Sequence, residues 1–221
     1  MPEALKDLLL PIFPLASVVL FPAVAVPLYI FEPRYRQMTK DALAGTRRIG
    51  MVAVDPRDAA SMSGNPPVFE IGCEGEIRTS DERPDGTFHI LLHGLRRFRI
   101  RREVPHGGAK LYRSAEVETL DDPAPAAADP AIARARTAVL DLMVRLAPDP
   151  SESFDRERFA SVDDLRFVNA FCQAASLPTV EKQKLLEANT VRDRAELLVS
   201  LLQFQLAERS GWDAGSGETV H

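Results

Sequence analysis

Residues 8–31, LLLPIFPLASVVLFPAVAVPLYIF, carry no charged side chain. A bilayer takes about 20 apolar residues to cross, so length alone admits a membrane span. Pro11, Pro14, Pro22 and Pro27 argue against one. Each lacks a backbone N–H and costs roughly 3 kcal/mol inside a helix, and hydrocarbon offers no replacement bond. A signal peptide fits poorly too. Ala23 and Ala25 mimic a cleavage site, but Pro11 and Pro14 interrupt the apolar run, and Glu3 and Asp7 outweigh Lys6 ahead of it. The stretch therefore reads as extended chain, with strands at Ser17–Phe21 and Val24–Ile30 bounded by prolines. An apolar, proline-punctuated opening of this kind starts a β-rich domain.

The totals agree with a folded, charged-surface protein. The chain has 221 residues, 45% apolar and 27% charged, with a net charge of −5. That balance disfavours a dedicated nucleic-acid binder. Cys73 and Cys172 stand 99 positions apart and form neither a zinc pattern nor a redox motif. They read as buried thiols in a reducing compartment, and with no targeting segment the expected location is cytoplasmic.

The composition changes near residue 121. Before it come β-type runs at Ile49–Val54, Phe69–Ile77, Phe88–Leu92, Arg97–Arg101 and Ser114–Leu120, with one helix over Glu32–Leu43. Pro84-Asp85-Gly86 joins Gly75–Thr79 to Phe88–Leu92 as a hairpin turn. Residues 121–130, DDPAPAAADP, form a linker. Everything after it is helical. Asp129 caps a helix opened by Pro130, and Ser161 with Asp164 resembles a capping box. Pro178 precedes a helix over Thr179–Ala188, and the last helix runs Val191–Arg209. Residues 210–221 are small, polar and Gly-rich, a tail expected to be disordered. Strands followed by helices give an α+β fold. The expected parts are a β-rich subdomain at 8–120, a linker at 121–130, a helical subdomain at 131–209 and the tail.

LPIFPL (Leu10–Leu15), then VVLFPAVAVPLYIFEPRYR (Val18–Arg36), IGCEGEI (Ile71–Ile77), a PDG turn, ILLHGLRRFRI (Ile90–Ile100) and YRSAEVETL (Tyr112–Leu120) occur in order. Together they resemble the N-terminal, substrate-binding domain of Lon proteases. LPTVEKQKLLEANTVRDRAELLVSLLQFQL (Leu177–Leu206) resembles the helix pair that closes that domain. The resemblance covers residues 10–208. It implies a PUA-like β pseudo-barrel followed by a helical bundle, and a role in recognising protein substrates. No G-x-x-x-x-G-K-[ST] loop is present, since His106-Gly107-Gly108-Ala109-Lys110 lacks both spacing and hydroxyl. The resemblance is thus to standalone LON-domain proteins, without ATPase or peptidase domains.

The sequence carries no recognisable catalytic or metal-binding pattern. His89 and His93 would lie roughly 13 Å apart on a strand, at ~3.3 Å per residue, too far for one metal. Gly215-Ser216-Gly217 falls in the tail, and no G-x-S-x-G occurs. Asp55, Asp58, Glu74 and Glu76 offer carboxylates without a recognisable acid–base pairing. No cofactor is expected.

Two surfaces remain. Arg97, Arg99 and Arg101, within the Arg96–Arg102 cluster, would share one strand face while Phe98 and Ile100 point to the core. One reading is an RNA-binding stripe of the kind PUA folds carry in other families. The favoured one is local pairing with Glu116 and Glu118 on the neighbouring strand. Phe31, Glu32, Arg34 and Tyr35 lie at the turn from strand to helix, which in the resembled family adjoins the substrate-contacting surface. Pro33 stands there in place of a charged residue. Phe31 and Tyr35 either contact partners or simply pack under the helix; both readings stand. The expected function is non-enzymatic recognition of exposed apolar or extended segments of client proteins, in a groove between the two subdomains. The alternative is RNA binding through the arginine strand. A protease or ATPase partner and a homo-oligomer stay open; a membrane partner does not.

Overall fold

Prolines turn out to sit inside the first strand, not between strands. The computed structural model describes residues 8–57, 65–105, 108–123, 129–147 and 156–215. Strand β1 (Leu8–Leu15) contains Pro11 and Pro14. Leu8 to Ile12 pair antiparallel with β6 (Arg113–Leu120), and Ile12 to Leu15 pair parallel with β3 (Arg48–Ala53). Only Ile12 has a partner on both sides, so each proline can turn its missing donor toward the unpaired side. Ser17–Phe21, expected as a strand, is irregular chain instead. Its apolar content is explained by burial, since Val19, Leu20 and Phe21 are at most 2% exposed.

The remaining strands are β2 (Ala25–Ile30), β4 (Ile71–Glu82) and β5 (Phe88–Val104). Their order is β2-β5-β4-β3-β1-β6, with β6 also paired to β5. Five strands thus close into a barrel, and β2 hangs on the outside of β5. One 17-residue β5 replaces the two strands expected at Phe88–Leu92 and Arg97–Arg101. Its first half pairs with β2 and β4, and its second half turns to β6. Register shifts after Glu74, Ile77 and Ile100 supply the bends that closure needs. At Gly94 the strand passes so close to Phe21 that a Cβ would lie 2.1 Å from its carbonyl oxygen. The hairpin turn holds Gly86 at φ +77, the left-handed region that favours glycine. Leu10, Ile12, Val52, Phe98, Ala115 and Val117 fill the barrel.

Helix α1 (Pro33–Ala44) starts on Glu32 with Pro33 at its first position, and buries Tyr35, Met38, Thr39 and Ala42. After the strands come α2 (Pro130–Leu146), α3 (Arg156–Ala160), α4 (Asp164–Ala174), α5 (Thr179–Glu187) and α6 (Val191–Gly215). Asp129 accepts from the Ala131 N–H at 2.8 Å, capping α2. The cap of α4 is Asp163, which accepts from the Arg166 N–H, and not Ser161. Helix α6 continues through Gly215, six residues past the expected end at Arg209. Residues 216–221, with Ser216 and Gly217, lie outside the described residues, as do Asp58, His106-Gly107 and linker residues 124–128.

The chain divides into two compact units, but not at the linker alone. Unit 1 is residues 1–122 plus Leu177–Glu187, and unit 2 is 123–176 plus 188–221. Helix α5 therefore belongs with the barrel, where the sequence placed it in the bundle. Leu185 and Leu186 are buried there, and the Gln183 amide donates to the Ile71 carbonyl at 2.9 Å. In unit 2, α2 and α4 pack on α6, and Ile132, Val139, Phe171, Leu198 and Leu202 on these helices are buried. No helix among the described residues is long and apolar enough to cross a membrane.

Candidate functional site

Among the described residues, β2 is the one barrel-unit strand with a single neighbour. Its register sets Ala25 opposite His93, Pro27 opposite Leu91 and Tyr29 opposite His89. The strand alternates, burying Ile30 at 1% exposure and presenting Tyr29 at 52%. Phe31, just past the strand, is 59% exposed. The Tyr29 and Phe31 rings stack with centroids 5.7 Å apart, and Tyr29 also lies 4.9 Å from the His89 ring. Three ring systems therefore form one exposed row at the open edge of the sheet. The Gly94 N–H donates to the Val24 carbonyl. Strand periodicity then turns the amides of Ala25 and Tyr29 away from β5, with Pro27 between them lacking a donor.

The four residues singled out from sequence separate in space. Phe31 joins the exposed row. Glu32 and Arg34 form their own pair, with Arg34 Nε 3.0 Å from a Glu32 carboxylate oxygen and both side chains about two-fifths exposed. Tyr35 turns inward. It is 5% exposed, its ring centroid is 4.5 Å from that of Phe13, and its hydroxyl lies 3.5 Å from the Pro14 carbonyl oxygen. Burial pushes its phenol above the ordinary range, against a smaller downward pull from Arg34, whose guanidinium lies 4.5 Å from the ring centroid. Tyr29 and His89 complete the row; Tyr29 was not singled out, and His89 was weighed only as a metal ligand. The alternation of Val24–Ile30 was the signal: with Ile30 inward, Tyr29 must face out.

The arginine strand is dismantled as a continuous stripe. Arg97 is 3% exposed and pairs with Asp122 at 2.8 Å, not with Glu116 or Glu118 as its expected face would require. Arg96 reaches the buried carboxylate of Glu74 at 2.7 Å, which Arg48 holds from the other side at 2.7 Å. The bulge at Ile100/Arg102 rotates the strand, so Arg101 meets Glu118 and Arg102 meets Glu116. Arg99 lies opposite Glu118 in the register. Exposed pairs of this kind add little stability, about 0–1 kcal/mol each, but they place a carboxylate beside the charge a phosphate would need. His89 and His93 lie on β5, and among the described residues no three His, Cys, Asp or Glu side chains converge as metal ligands would.

Comparison with known proteins follows the same lines. The family model of the ATP-dependent protease La (LON) substrate-binding domain matches residues 9–203. Lon protease of Xanthomonas oryzae pv. oryzae is 27% identical over 93% of this chain and 24% of its own length. Lon protease of Escherichia coli K12 is 25% identical over 93% of this chain and 26% of its own length. The chain thus spans about a quarter of the curated relatives it matches. Among solved structures, a Lon N-terminal domain protein from Xanthomonas campestris superposes with a TM-score of 0.64 at 23% identity, covering 87% of this chain and 98% of that one. The N-terminal domain of Mycobacterium avium complex Lon protease gives 0.61 at 18% identity, over 88% and 98% of the two chains.

Proposed function

The chain belongs to the LON substrate-binding domain family, and we propose that it recognises exposed apolar or extended segments of client proteins without catalysing a reaction itself. The observation that carries this is the stacked row Tyr29–Phe31 at the open edge of β2. Large aromatic side chains left in water offer apolar area that a partner segment can cover, at roughly 25 cal/mol per Å². The edge amides of Ala25 and Tyr29 supply main-chain donors to an extended segment. Pro27 removes one donor between them, which limits uncontrolled strand pairing along the edge. Glu32 and Arg34 border the row with charges already satisfied by each other. The setting that fits is cytoplasmic, with handover of clients to a protease or ATPase partner of the Lon type.

The test compares two folded variants for binding of a fluorescently labelled, permanently unfolded model protein. Tyr29→Ala with Phe31→Ala is expected to weaken binding at least tenfold. Arg101→Glu with Arg102→Glu is expected to leave it within about twofold at 0.15 M salt, where exposed charges are screened beyond about 8 Å. The reverse ranking, together with a steep salt dependence on single-stranded RNA, would return the function to the arginine strand.

A further inference from the structure

Arg97 is a cation with almost no solvent contact: the residue is 3% exposed and its partner Asp122 has an 8% exposed side chain. Two contacts of its guanidinium matter here. One Nη lies 2.8 Å from the Asp122 carboxylate, and the other donates to the Leu186 carbonyl at 3.1 Å. These partners occupy special places. Asp122 is the last residue of unit 1 before the chain passes to unit 2, and Leu186 is one residue before the second departure at Glu187. Leu186 also lies in the final turn of α5, where carbonyls lack helical partners and a cation is favoured.

We infer that Arg97 is a positioning residue that clasps both points where the chain leaves the barrel unit, so that the 119–122 segment and α5 come loose together. The coupling follows from the burial. Without the Asp122 charge, a 3% exposed guanidinium loses the carboxylate that lies 2.8 Å from it, and removing one partner of a buried ion pair drives the remaining charge toward water. In moving it gives up the Leu186 carbonyl, although nothing in α5 has been altered. Two independent tethers would behave otherwise: weakening one would leave the other as it was. The clasp makes α5 a strap whose hold on the barrel is set by a carboxylate that precedes the whole of the helix in sequence.

Hydrogen exchange on the full chain, read by mass spectrometry at neutral pH, tests this. Asp122→Asn is expected to raise exchange of the α5 amides at least tenfold, with β3 and the paired part of β4 within twofold of the unaltered protein. Arg97→Met is expected to do the same at both segments. Exchange at α5 within twofold of the unaltered protein in folded Asp122→Asn overturns the coupling. Should neither variant fold, exchange of the unaltered protein in low urea decides. One shared opening midpoint for Thr119–Asp122 and α5 supports the clasp, and two distinct midpoints overturn it.

Discussion

A phenol at the end of a loop shows how one side chain ties pH to stability. Tyr112 is 2% exposed and donates to the Asp41 carboxylate at 2.7 Å. Burial first, and then that hydrogen bond and the Asp41 charge, raise its pKa well above the ordinary 10.0. The folded state therefore holds the phenolic proton more tightly than the unfolded chain does. Its contribution is complete below pH 10 and is lost as the pH climbs past the unfolded value toward the folded one. Tyr112→Phe is expected to cost about 1 kcal/mol at neutral pH. The gap to the unaltered protein should narrow above about pH 10, because only the tyrosine form titrates. Urea midpoints for both proteins between about pH 7 and pH 11 check this, and a gap constant across that range would contradict it. Residue-scale sequence reasoning did well where one rule governs, as with the Asp129 cap and the glycine of the hairpin turn. It failed for Arg97, because periodicity gives a strand face and cannot see the carboxylate that the chain brings back from residue 122. It left Tyr35 undecided because an aromatic ring beside a surface helix serves either role until Phe13 is known to lie beneath it.

Elements were legible where the hydrophobic period was clean. The helix read over Glu32–Leu43 is α1 at Pro33–Ala44, and Arg113–Leu120 is the strand read at Ser114–Leu120. Strands that bend were not legible. A bulge changes the face of every later residue, and the β4–β5 register shifts between Arg96 and Gly94, so β5 looked like two short strands with a gap at Gly94. That glycine is where the element can be tested. An added Cβ would lie 2.1 Å from the Phe21 carbonyl oxygen and 2.9 Å from its carbon, and these are backbone atoms that no rotamer change can move aside. Gly94→Ala is expected to cost about 3 kcal/mol, the upper part of the usual range for overpacking. Gly108→Ala meets nothing within 4 Å and serves as the matched control. Guanidinium denaturation of the two variants makes the comparison; equal midpoints would show that the β5 crossing has room to spare.

Closure of the barrel sets a hierarchy among its strands. Strands β1, β3, β4 and β6 lie within the closed β5-β4-β3-β1-β6 circuit, whereas β2 hangs on β5 alone. Amides of Ala25 and Tyr29 are expected to exchange at least a hundredfold faster than those of Ile49 and Met51, as resolved by NMR; equal protection would mean that the β2 edge is covered. The sequence showed strands then helices, and the family resemblance supplied the barrel. Neither showed that α5 returns to it, because a nine-residue helix carries no mark of which unit will bury it. That return governs how the protein can be made. Glu187 is the sixty-fifth residue after Asp122. A ribosome adding about 5–20 residues per second needs roughly 3–13 s to deliver that stretch. The six strands of the described residues have been made by then, yet Arg97 still lacks its helical acceptor and the sites for Leu185 and Leu186 stand open. The nascent barrel must wait, apolar seat exposed, for a helix synthesised in the middle of the other unit, and a polypeptide released at residue 122 would never receive it.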